Sequence, residues 1–253
     1  MNNHHLFELI KPVVFAHRGA SKYAPENTLV SFQKALEMGA QALELDVTLT
    51  RDGEVVVIHD DVIDRTSNGK GAVSQLTLAQ IKKFDAGSWF AEEFKGEKIP
   101  TLKEVLALVG EKALINIELK NAGKRNRELV QETVNLVKKM KNQETIIFSS
   151  FIPHNIRTVR DALPECPAGL LTLPGFAGRV EMGLLGGISP DLIHPHYSNV
   201  TEKFIRRQHR RYRRVHTYTV NDPPLMRKLI RWQVDGFFCD DLSLAQQILA
   251  GIP

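Results

Sequence analysis

Two histidines and a pair of carboxylates stand at or near the ends of short apolar runs in the first quarter of the chain. His17 follows the run 13–16, His59 follows the run 55–58, and Glu44 and Asp46 lie within the run 42–47. Enzymes of the α/β class place their chemistry at the carboxyl ends of buried strands. Imidazoles can act as acid and base near neutral pH, and two carboxylates separated by one residue can hold a metal ion. The pattern therefore predicts a catalytic site.

A later run ends in a similar way, with Glu118 and Lys120 two residues apart, and Arg18 directly follows the first histidine. Residues i and i+2 of a strand share a face, so each pair points to one side. Three carboxylates in total offer hard oxygen ligands, which suit Mg²⁺ or Ca²⁺ better than zinc. A metal ion with Arg18 and Lys120 beside it describes a clamp for a phosphoryl group. Spacing alone leaves open the alternatives of a structural strand-end histidine and a solvated Glu-x-Asp pair.

Alternating apolar and amphipathic segments must position these residues. The alternation predicts parallel strands with helical crossovers. No GxGxxG follows the first run, and the number of runs in 253 residues favours a closed (β/α)8 TIM barrel over an open sheet. The predicted strands are 13–16, 41–47, 55–58, 113–119, 145–149, 168–172, 191–194, 215–220 and 236–239. The predicted helices are 27–38, 75–84, 101–109, 125–141, 153–162, 178–185, 201–211, 222–231 and 242–250.

The segment from about 60 to 100 interrupts this alternation with turn-rich sequence and a short helix. Long insertions in barrels tend to be βα loops above the active face. We therefore expect one domain over 1–253 that carries a small insertion subdomain after the second barrel strand region.

Composition and charge exclude several classes of protein. The chain is 43% hydrophobic and 25% charged, with a formal charge of +4, which suits a globular protein that mildly favours anionic partners. Its two cysteines form no CxxC pair, segment 1–11 lacks the features of a secretory leader, and no apolar stretch approaches the ~20 residues of a membrane span. These features favour a cytoplasmic location.

An arginine-rich run and a second pair of histidines could each suggest a further binding site, but each has a simpler interpretation. The arginine-rich run 206–214 closes a predicted helix, which places it at the end of the barrel opposite the predicted site. We therefore expect these arginines to form a solvated surface. Weak attraction to a membrane surface is the next alternative, and binding of nucleic acid is not predicted. His194 and His196 lie near a strand end, and we expect pocket or structural roles rather than a second metal site.

An ordered set of short motifs resembles the glycerophosphodiester phosphodiesterase family. His17-Arg18-Gly19-Ala20 followed by Pro25-Glu26-Asn27-Thr28 is similar to the family's HRG…PENT signature. Further matches follow in order along nearly the whole chain at 44–47, 59–60, 64–66, 68–71, 100–102, 118–120, 149–151 and 219–221.

The resemblance implies a (β/α)8 barrel with a small insertion, and hydrolysis of glycerophosphodiesters to sn-glycerol 3-phosphate and an alcohol. It also implies one divalent cation, Mg²⁺ or Ca²⁺. The residues that match the metal ligands are Glu44, Asp46 and Glu118; those that match the acid–base pair are His17 and His59, and those that face the phosphate are Arg18 and Lys120. We expect His17 to be the base and His59 the acid. Attack by water and attack by the glycerol 2-hydroxyl, which would give a cyclic phosphate, both remain open.

Three neighbours of Arg18 have more specific expectations. Glu26 should orient the Arg18 side chain. Asn27 either belongs to the site or caps the first helix, and the two readings weigh equally. Gly19 should allow the backbone to turn close to the bound phosphate.

The substrate pocket is less well defined. Phe151 and Tyr218 are expected to line it, although Tyr218 stands where many family members carry tryptophan. An apolar groove beside Phe151, Tyr218 or Trp89 would favour a lysophospholipase D acting on lysophospholipids. A non-catalytic phosphate-binding module is the remaining alternative, and the intact set of site residues argues against it. The expected partner is a small-molecule glycerophosphodiester, without stable membrane insertion; a homodimer stays open.

Overall fold

The computed structural model describes residues 4–120, 126–185, 187–188 and 191–251. The strands within these ranges are β1 (Val13–Ala16), β2 (Ala42–Leu49), β3 (Val55–Val57), β4 (Leu114–Leu119), β5 (Ile146–Ser150), β6 (Ala168–Thr172), β7 (Leu192–Pro195), β8 (Arg214–Thr217) and β9 (Gly236–Cys239). Eight of them pair in parallel in the order β1-β9-β8-β7-β6-β5-β4-β2, and pairing of β1 with β2 closes the ring. The predicted TIM barrel is confirmed.

Helices surround the barrel and bury its outer surface. Among the described residues they are α1 (Leu29–Glu37), α2 (Leu78–Ile81), α3 (Leu102–Val109), α4 (Asn126–Met140), α5 (Pro153–Ala162), α6 (Gly175–Leu185), α7 (Glu202–His209), α8 (Pro223–Arg231) and α9 (Leu242–Ala250). Residue 125, where the sequence predicts the start of the fourth long helix, lies outside the described ranges. None of the helices described has both the length and the apolar character needed to cross a bilayer.

β3 is the strand that departs from the parallel pattern. It runs antiparallel to β2, with Val57 opposite Val47, so the two strands form a hairpin above the barrel. The hairpin returns the chain to the level of Asp46, where the N–H of Ile58 donates to the Asp46 carbonyl oxygen at 3.0 Å. This return places His59 beside the carboxylates of β2, although His59 does not end a barrel strand.

The insertion that follows has a hydrophobic cluster of its own. Small helices and turns pack apolar side chains together beneath the hairpin, at Val56, Ile58, Ile63, Val73, Ile81, Ala86 and Ile99. Asp85 fixes one of its turns by accepting the N–H groups of Gly87, Ser88 and Gly96. The segment is therefore an ordered platform next to the mouth of the barrel.

Candidate active site

Three carboxylates meet at the carboxyl end of the barrel. Asp46 on β2 lies directly opposite Glu118 on β4, and Glu44 lies two residues before Asp46 on the same face. Ligand oxygens of all three lie within 4.8 Å of one another. The side chain of Glu44 is 3% exposed, that of Asp46 is 1% exposed and that of Glu118 is 14% exposed. Within the described part of the chain, Asp46 Oδ1 has no hydrogen-bond partner.

This crowding perturbs the titration of the three acids. Burial and the charge of Asp46 raise the pKa of Glu44 to about 8 and also raise the pKa of Glu118. Burial acts in the same direction on Asp46, but Arg18 and Lys120 outweigh it and lower the pKa of that carboxyl. Buried, mutually repelling hard oxygen ligands with one unpartnered oxygen fit a divalent cation such as Mg²⁺ or Ca²⁺.

The His17 side chain is held by Asp240, a residue close to the other end of the sequence. Its Nδ1 lies 2.6 Å from Asp240 Oδ1, and Asn221 Nδ2 donates to Asp240 Oδ2 at 2.5 Å. Burial opposes ionisation of Asp240, but the hydrogen bonds and charge of His17 outweigh it and lower the pKa of the carboxyl. An ionised carboxylate only accepts, so Nδ1 carries the proton and Nε2, 3.8 Å from Glu44 Oε2, faces the carboxylate cluster. Sequence reasoning did not assign Asp240 or Asn221 a role, although Asn221 lies in a matched motif.

His59 has an equivalent partner in Asp60, whose Oδ1 lies 2.6 Å from His59 Nδ1. Arg65 then joins two acids, donating to Asp60 Oδ2 at 2.7 Å and to both oxygens of Glu26 at 2.8 and 2.9 Å. The Arg65 hydrogen bonds hold the pKa of Asp60 well below its usual range. Glu26 also accepts from Arg18 Nη1 at 2.9 Å. Arg65 is therefore the centre of a bridge that links the insertion, His59 and Arg18, and no sequence pattern predicted that role for it.

The loop after β1 aims the Arg18 side chain at the carboxylates. Arg18 adopts a left-handed φ of 58°, its N–H donates to Glu44 Oε2 at 2.9 Å, and its Nε lies 3.4 Å from Asp46 Oδ2. Lys120 approaches from the other side, with Nζ 3.0 Å from Glu118 Oε1 and 3.6 Å from Asp46 Oδ1. Two cations thus flank the cluster where a substrate anion would meet it.

The structure gives Gly19 a second reason to be glycine and replaces one expectation for Asn27. Gly19 has φ +84°, and a Cβ on it would lie 2.9 Å from the backbone carbon of Ser31, so close packing against α1 also requires glycine there. The helix-cap reading of Asn27 is wrong, because Thr28 caps α1 by accepting the Ser31 N–H. Asn27 instead donates to Asp46 Oδ2 at 2.9 Å. The capping preferences of asparagine and threonine are too similar for sequence to separate neighbours.

Three cavities meet around the cluster, and aromatic rings form part of their walls. The first has a volume of about 30 Å³ and is lined in part by His17, Glu118 and Tyr218. The second has a volume of about 320 Å³ and is lined in part by His59, Lys120 and Phe151. A third, of about 580 Å³, lies beside Arg18 and Asp240. The Phe151 and Tyr218 rings meet edge to face at 6.0 Å, and the Tyr218 hydroxyl donates to the Thr172 carbonyl at 2.6 Å. Trp89 lines none of these three cavities and packs on Phe90 in the insertion.

His194 on β7 and His196 just after it occupy different surroundings. Among the described residues, the carboxylate cluster is the one group of three or more ligand-type side chains close enough to hold an ion. His194 is fully buried within the barrel, beside His216 of β8 at a ring distance of 5.2 Å. His196 contacts the Tyr218 ring at 5.6 Å and thus adjoins the pocket.

Comparison with known proteins gives a family match over most of the chain. Residues 17–244 match the model of the glycerophosphoryl diester phosphodiesterase family. A glycerophosphodiester phosphodiesterase of Caldanaerobacter subterraneus is 40% identical over 233 residues, which cover 92% of this chain and 95% of that protein.

Solved structures show the same similarity over the whole fold. A phosphodiesterase of Oleispira antarctica, solved in complex with the product sn-glycerol-3-phosphate, superposes with a TM-score of 0.89 at 30% identity, covering 97% of this chain and 99% of that one. A glycerophosphodiester phosphodiesterase of Thermotoga maritima gives a TM-score of 0.76 at 30% identity, with coverage of 95% and 99%.

Proposed function

The chain belongs to the glycerophosphoryl diester phosphodiesterase family and is an enzyme of that class, and we propose that it hydrolyses glycerophosphodiesters to sn-glycerol 3-phosphate and an alcohol with one divalent cation. The observation that carries the proposal is the cluster of two buried carboxylates and one half-buried carboxylate, flanked by two imidazoles that each have an ionised carboxylate on Nδ1. The product held by the Oleispira antarctica relative supports the same substrate class.

Glu44, Asp46 and Glu118 would hold Mg²⁺ or Ca²⁺, and the bound ion would neutralise charge on the phosphoryl oxygens. Arg18 and Lys120 bind the same anion from either side of the cluster. Cations placed in advance stabilise the negative charge that develops in the transition state without reorganising at the moment of reaction.

The histidines move the protons. With Nδ1 of each ring donating to a carboxylate, the Nε2 atoms are the groups that accept and donate. We assign His17 as the base that activates the nucleophile and His59 as the acid that protonates the leaving alkoxide. This pair serves attack by water and attack by the glycerol 2-hydroxyl equally well, and trapping of a cyclic phosphate would distinguish the second route.

Lysophospholipids are the second candidate substrates because they carry the same phosphodiester. The observation in their favour is the edge-to-face pair of Phe151 and Tyr218 in the cavity walls, which offers apolar surface beside the phosphate groups. A single assay can compare both classes, since each releases a free alcohol.

Both cysteine thiols are unreactive in this fold. Cys166 and Cys239 are both free and buried, and burial raises the pKa of each thiol to about 12, so both stay protonated. The cytoplasmic location stays a prediction.

The test is release of glycerol 3-phosphate from glycerophosphocholine, measured with Mg²⁺, with Ca²⁺ and with EDTA. Wild type should release product with a divalent cation and lose activity in EDTA. His17→Ala should lose roughly 10²–10⁴-fold in kcat, the usual contribution of a general base. His154→Ala, an exposed histidine on α5 outside the three cavities, is the matched control and should retain full activity.

A folded wild type that releases no product with either ion would contradict the proposal. Choline release from lysophosphatidylcholine at a higher kcat/KM than from glycerophosphocholine would assign the second candidate. Equal losses of kcat in His17→Ala and His154→Ala would show that His17 has no specific role in catalysis.

A further inference from the structure

Four exposed apolar side chains adjoin one side of the barrel mouth, and we call them the rim patch. Leu173, Phe176, Val180 and Tyr197 are 44%, 75%, 41% and 39% exposed. Phe176 and Val180 lie one turn apart on α6 and therefore share a face. Asn199 Nδ2 donates to the Leu173 carbonyl at 2.8 Å and so joins the Tyr197 loop to the start of α6. Exposed apolar residues are ordinary one at a time, but a contiguous group indicates an interaction surface.

The rim patch is continuous with the candidate active site. Tyr218, which lines the small central cavity, donates its hydroxyl to the carbonyl of Thr172, the residue before Leu173. The His196 ring contacts Tyr218 at 5.6 Å and Tyr197 at 4.3 Å. Whatever covers the patch therefore lies beside the entrance to the pocket.

A groove of positive charge continues from the patch along the outside of the barrel. It has a volume of about 310 Å³ between α6 and α7, and its wall includes Arg179, Arg207 and Arg211. Within the described residues, none of these three arginines forms an ion pair with a carboxylate. Glu202 pairs with Arg206, and Glu181 accepts the N–H of Leu173. The groove therefore combines exposed positive charge with an adjoining apolar surface.

We infer that the rim patch and this groove form a docking surface for an anionic phospholipid bilayer. The apolar side chains would enter the region between headgroups and acyl chains, and the arginines would contact lipid phosphates. This mixture of exposed aromatic, aliphatic and basic side chains is typical of surfaces that lie on a membrane without crossing it. A second copy of the chain fits less well, because related faces would bring unpaired arginines together. This surface runs along the flank of the barrel formed by α6 and α7, from the arginines near the end of α7 to the rim patch, so docking brings the rim-patch edge of the mouth to the lipid.

Co-sedimentation with vesicles tests the surface directly. Wild type should bind vesicles of mixed phosphatidylcholine and phosphatidylglycerol more strongly than vesicles of phosphatidylcholine alone, and added salt should weaken the binding. Phe176→Ser should lower the partition coefficient roughly tenfold through lost apolar insertion. Each of Arg207→Gln and Arg211→Gln should lower it roughly fivefold, the usual effect of one basic residue at an anionic surface.

Matched controls separate this surface from general effects. Ile10→Ser removes an apolar side chain that is 87% exposed, before β1 at the opposite end of the barrel, and Arg157→Gln removes an exposed arginine on α5. Both should bind vesicles like wild type. Docking requires no catalysis, so His17→Ala should also bind like wild type, and failure of the proposed reaction would leave this result unaffected.

Three outcomes would overturn the inference. The first is a wild type that stays in the supernatant with both kinds of vesicle, and the second is a loss in Phe176→Ser that Ile10→Ser matches. The third is a dimer in sedimentation velocity that Phe176→Ser converts to monomer, because the patch would then belong to a second copy.

Discussion

At the scale of single residues, the two histidines share one arrangement. Each imidazole donates from Nδ1 to a carboxylate, and each carboxylate accepts from a further donor, Asn221 for Asp240 and Arg65 for Asp60. The carboxylate fixes the tautomer, and the further donor fixes the carboxylate. These outer residues should therefore affect the chemistry through the histidines that they orient.

Asp240→Asn tests this arrangement at His17. Asn221 Oδ1 already accepts the backbone N–H of residue 240 at 3.0 Å, which leaves its Nδ2 as the donor toward the side chain. The new amide should therefore turn its oxygen to Asn221 and its NH₂ to His17 Nδ1. That contact forces the proton onto Nε2 and removes the base, so kcat should fall by roughly 10²–10⁴ while KM stays nearly constant.

The control for this variant is Asp222→Asn, the neighbouring exposed helix cap, because asparagine caps a helix as well as aspartate. It should keep both kinetic constants. Steady-state kinetics on glycerophosphocholine give the measurement, and thermal unfolding checks the fold. A change in KM with unaltered kcat for Asp240→Asn would place the residue in binding rather than in orienting His17.

Arg65→Lys tests the bridge between the insertion and the site. Lysine keeps the charge but cannot bond Asp60 and Glu26 in the two-sided way of a guanidinium. We expect kcat/KM to fall by roughly 10- to 100-fold, typical for groups that orient a site residue. The unfolding temperature should hardly move, because the Arg65 side chain is 45% exposed. Arg157→Lys on α5 serves as the control, and wild-type activity in Arg65→Lys would show that charge alone suffices.

At the scale of elements, sequence patterns were sufficient where hydrophobic periodicity determined the structure. Strands 13–16, 168–172 and 236–239 and helices 153–162 and 242–250 coincide with the observed elements. The direction of β3 carried no such signal, because a short apolar run such as 55–58 pairs equally well in either direction. The loop after β1 was only partly predictable, since the need for Gly19 comes from Ser31 in α1 as well as from a bound anion.

Gly19→Ala tests this contact between a loop and a helix. The added methyl group meets the Ser31 backbone at 2.9 Å and also strains a φ of +84°. Gly39→Ala is the matched control just after the end of α1, with φ +80° and no neighbouring atom nearer than 3.8 Å. Left-handed strain alone should cost Gly39→Ala about 1 kcal/mol, and overpacking should cost Gly19→Ala about 1–3 kcal/mol more.

The measurement is the free energy of unfolding in denaturant for both variants, combined with kcat/KM. Gly19→Ala should also lose activity, because Arg18 precedes it and would be displaced from the carboxylates. Equal destabilisation in the two variants would show that α1 yields to the methyl group and that the packing argument is wrong.

At the scale of the whole molecule, the barrel joins residues that sequence places far apart. His17 and Asp240 are separated by 223 positions, and the bond between them exists because β9 pairs with β1 when the ring closes. Motif matching located the carboxylates and histidines, which are local in sequence. It did not assign Asp240 or Arg65 their roles, because these depend on closure of the barrel and on the fold of the insertion.

The barrel interior also contains His194 and His216, two buried imidazoles whose four nitrogens have no hydrogen-bond partner among the described residues. They pack against Phe15 and Phe238. Burial lowers the pKa of His194 to about 3 and the pKa of His216 well below its ordinary value. Between pH 6.5 and 3 the unfolded chain therefore binds protons that the folded barrel excludes, and stability must fall as pH falls.

His194→Leu should make unfolding less sensitive to acid. One histidine that is protonated only in the unfolded state contributes about 1.4 kcal/mol per pH unit below pH 6.5, so His194 alone should cost about 2 kcal/mol of stability at pH 5. Leucine leaves a packing defect that lowers the free energy of unfolding at every pH, but it cannot titrate. The plot of unfolding free energy against pH, from urea melts between pH 7.5 and 5, should therefore lose that part of its slope. The exposed His154→Leu should keep the full slope, and an unchanged slope in His194→Leu would mean that the barrel admits a proton, or water, to its core.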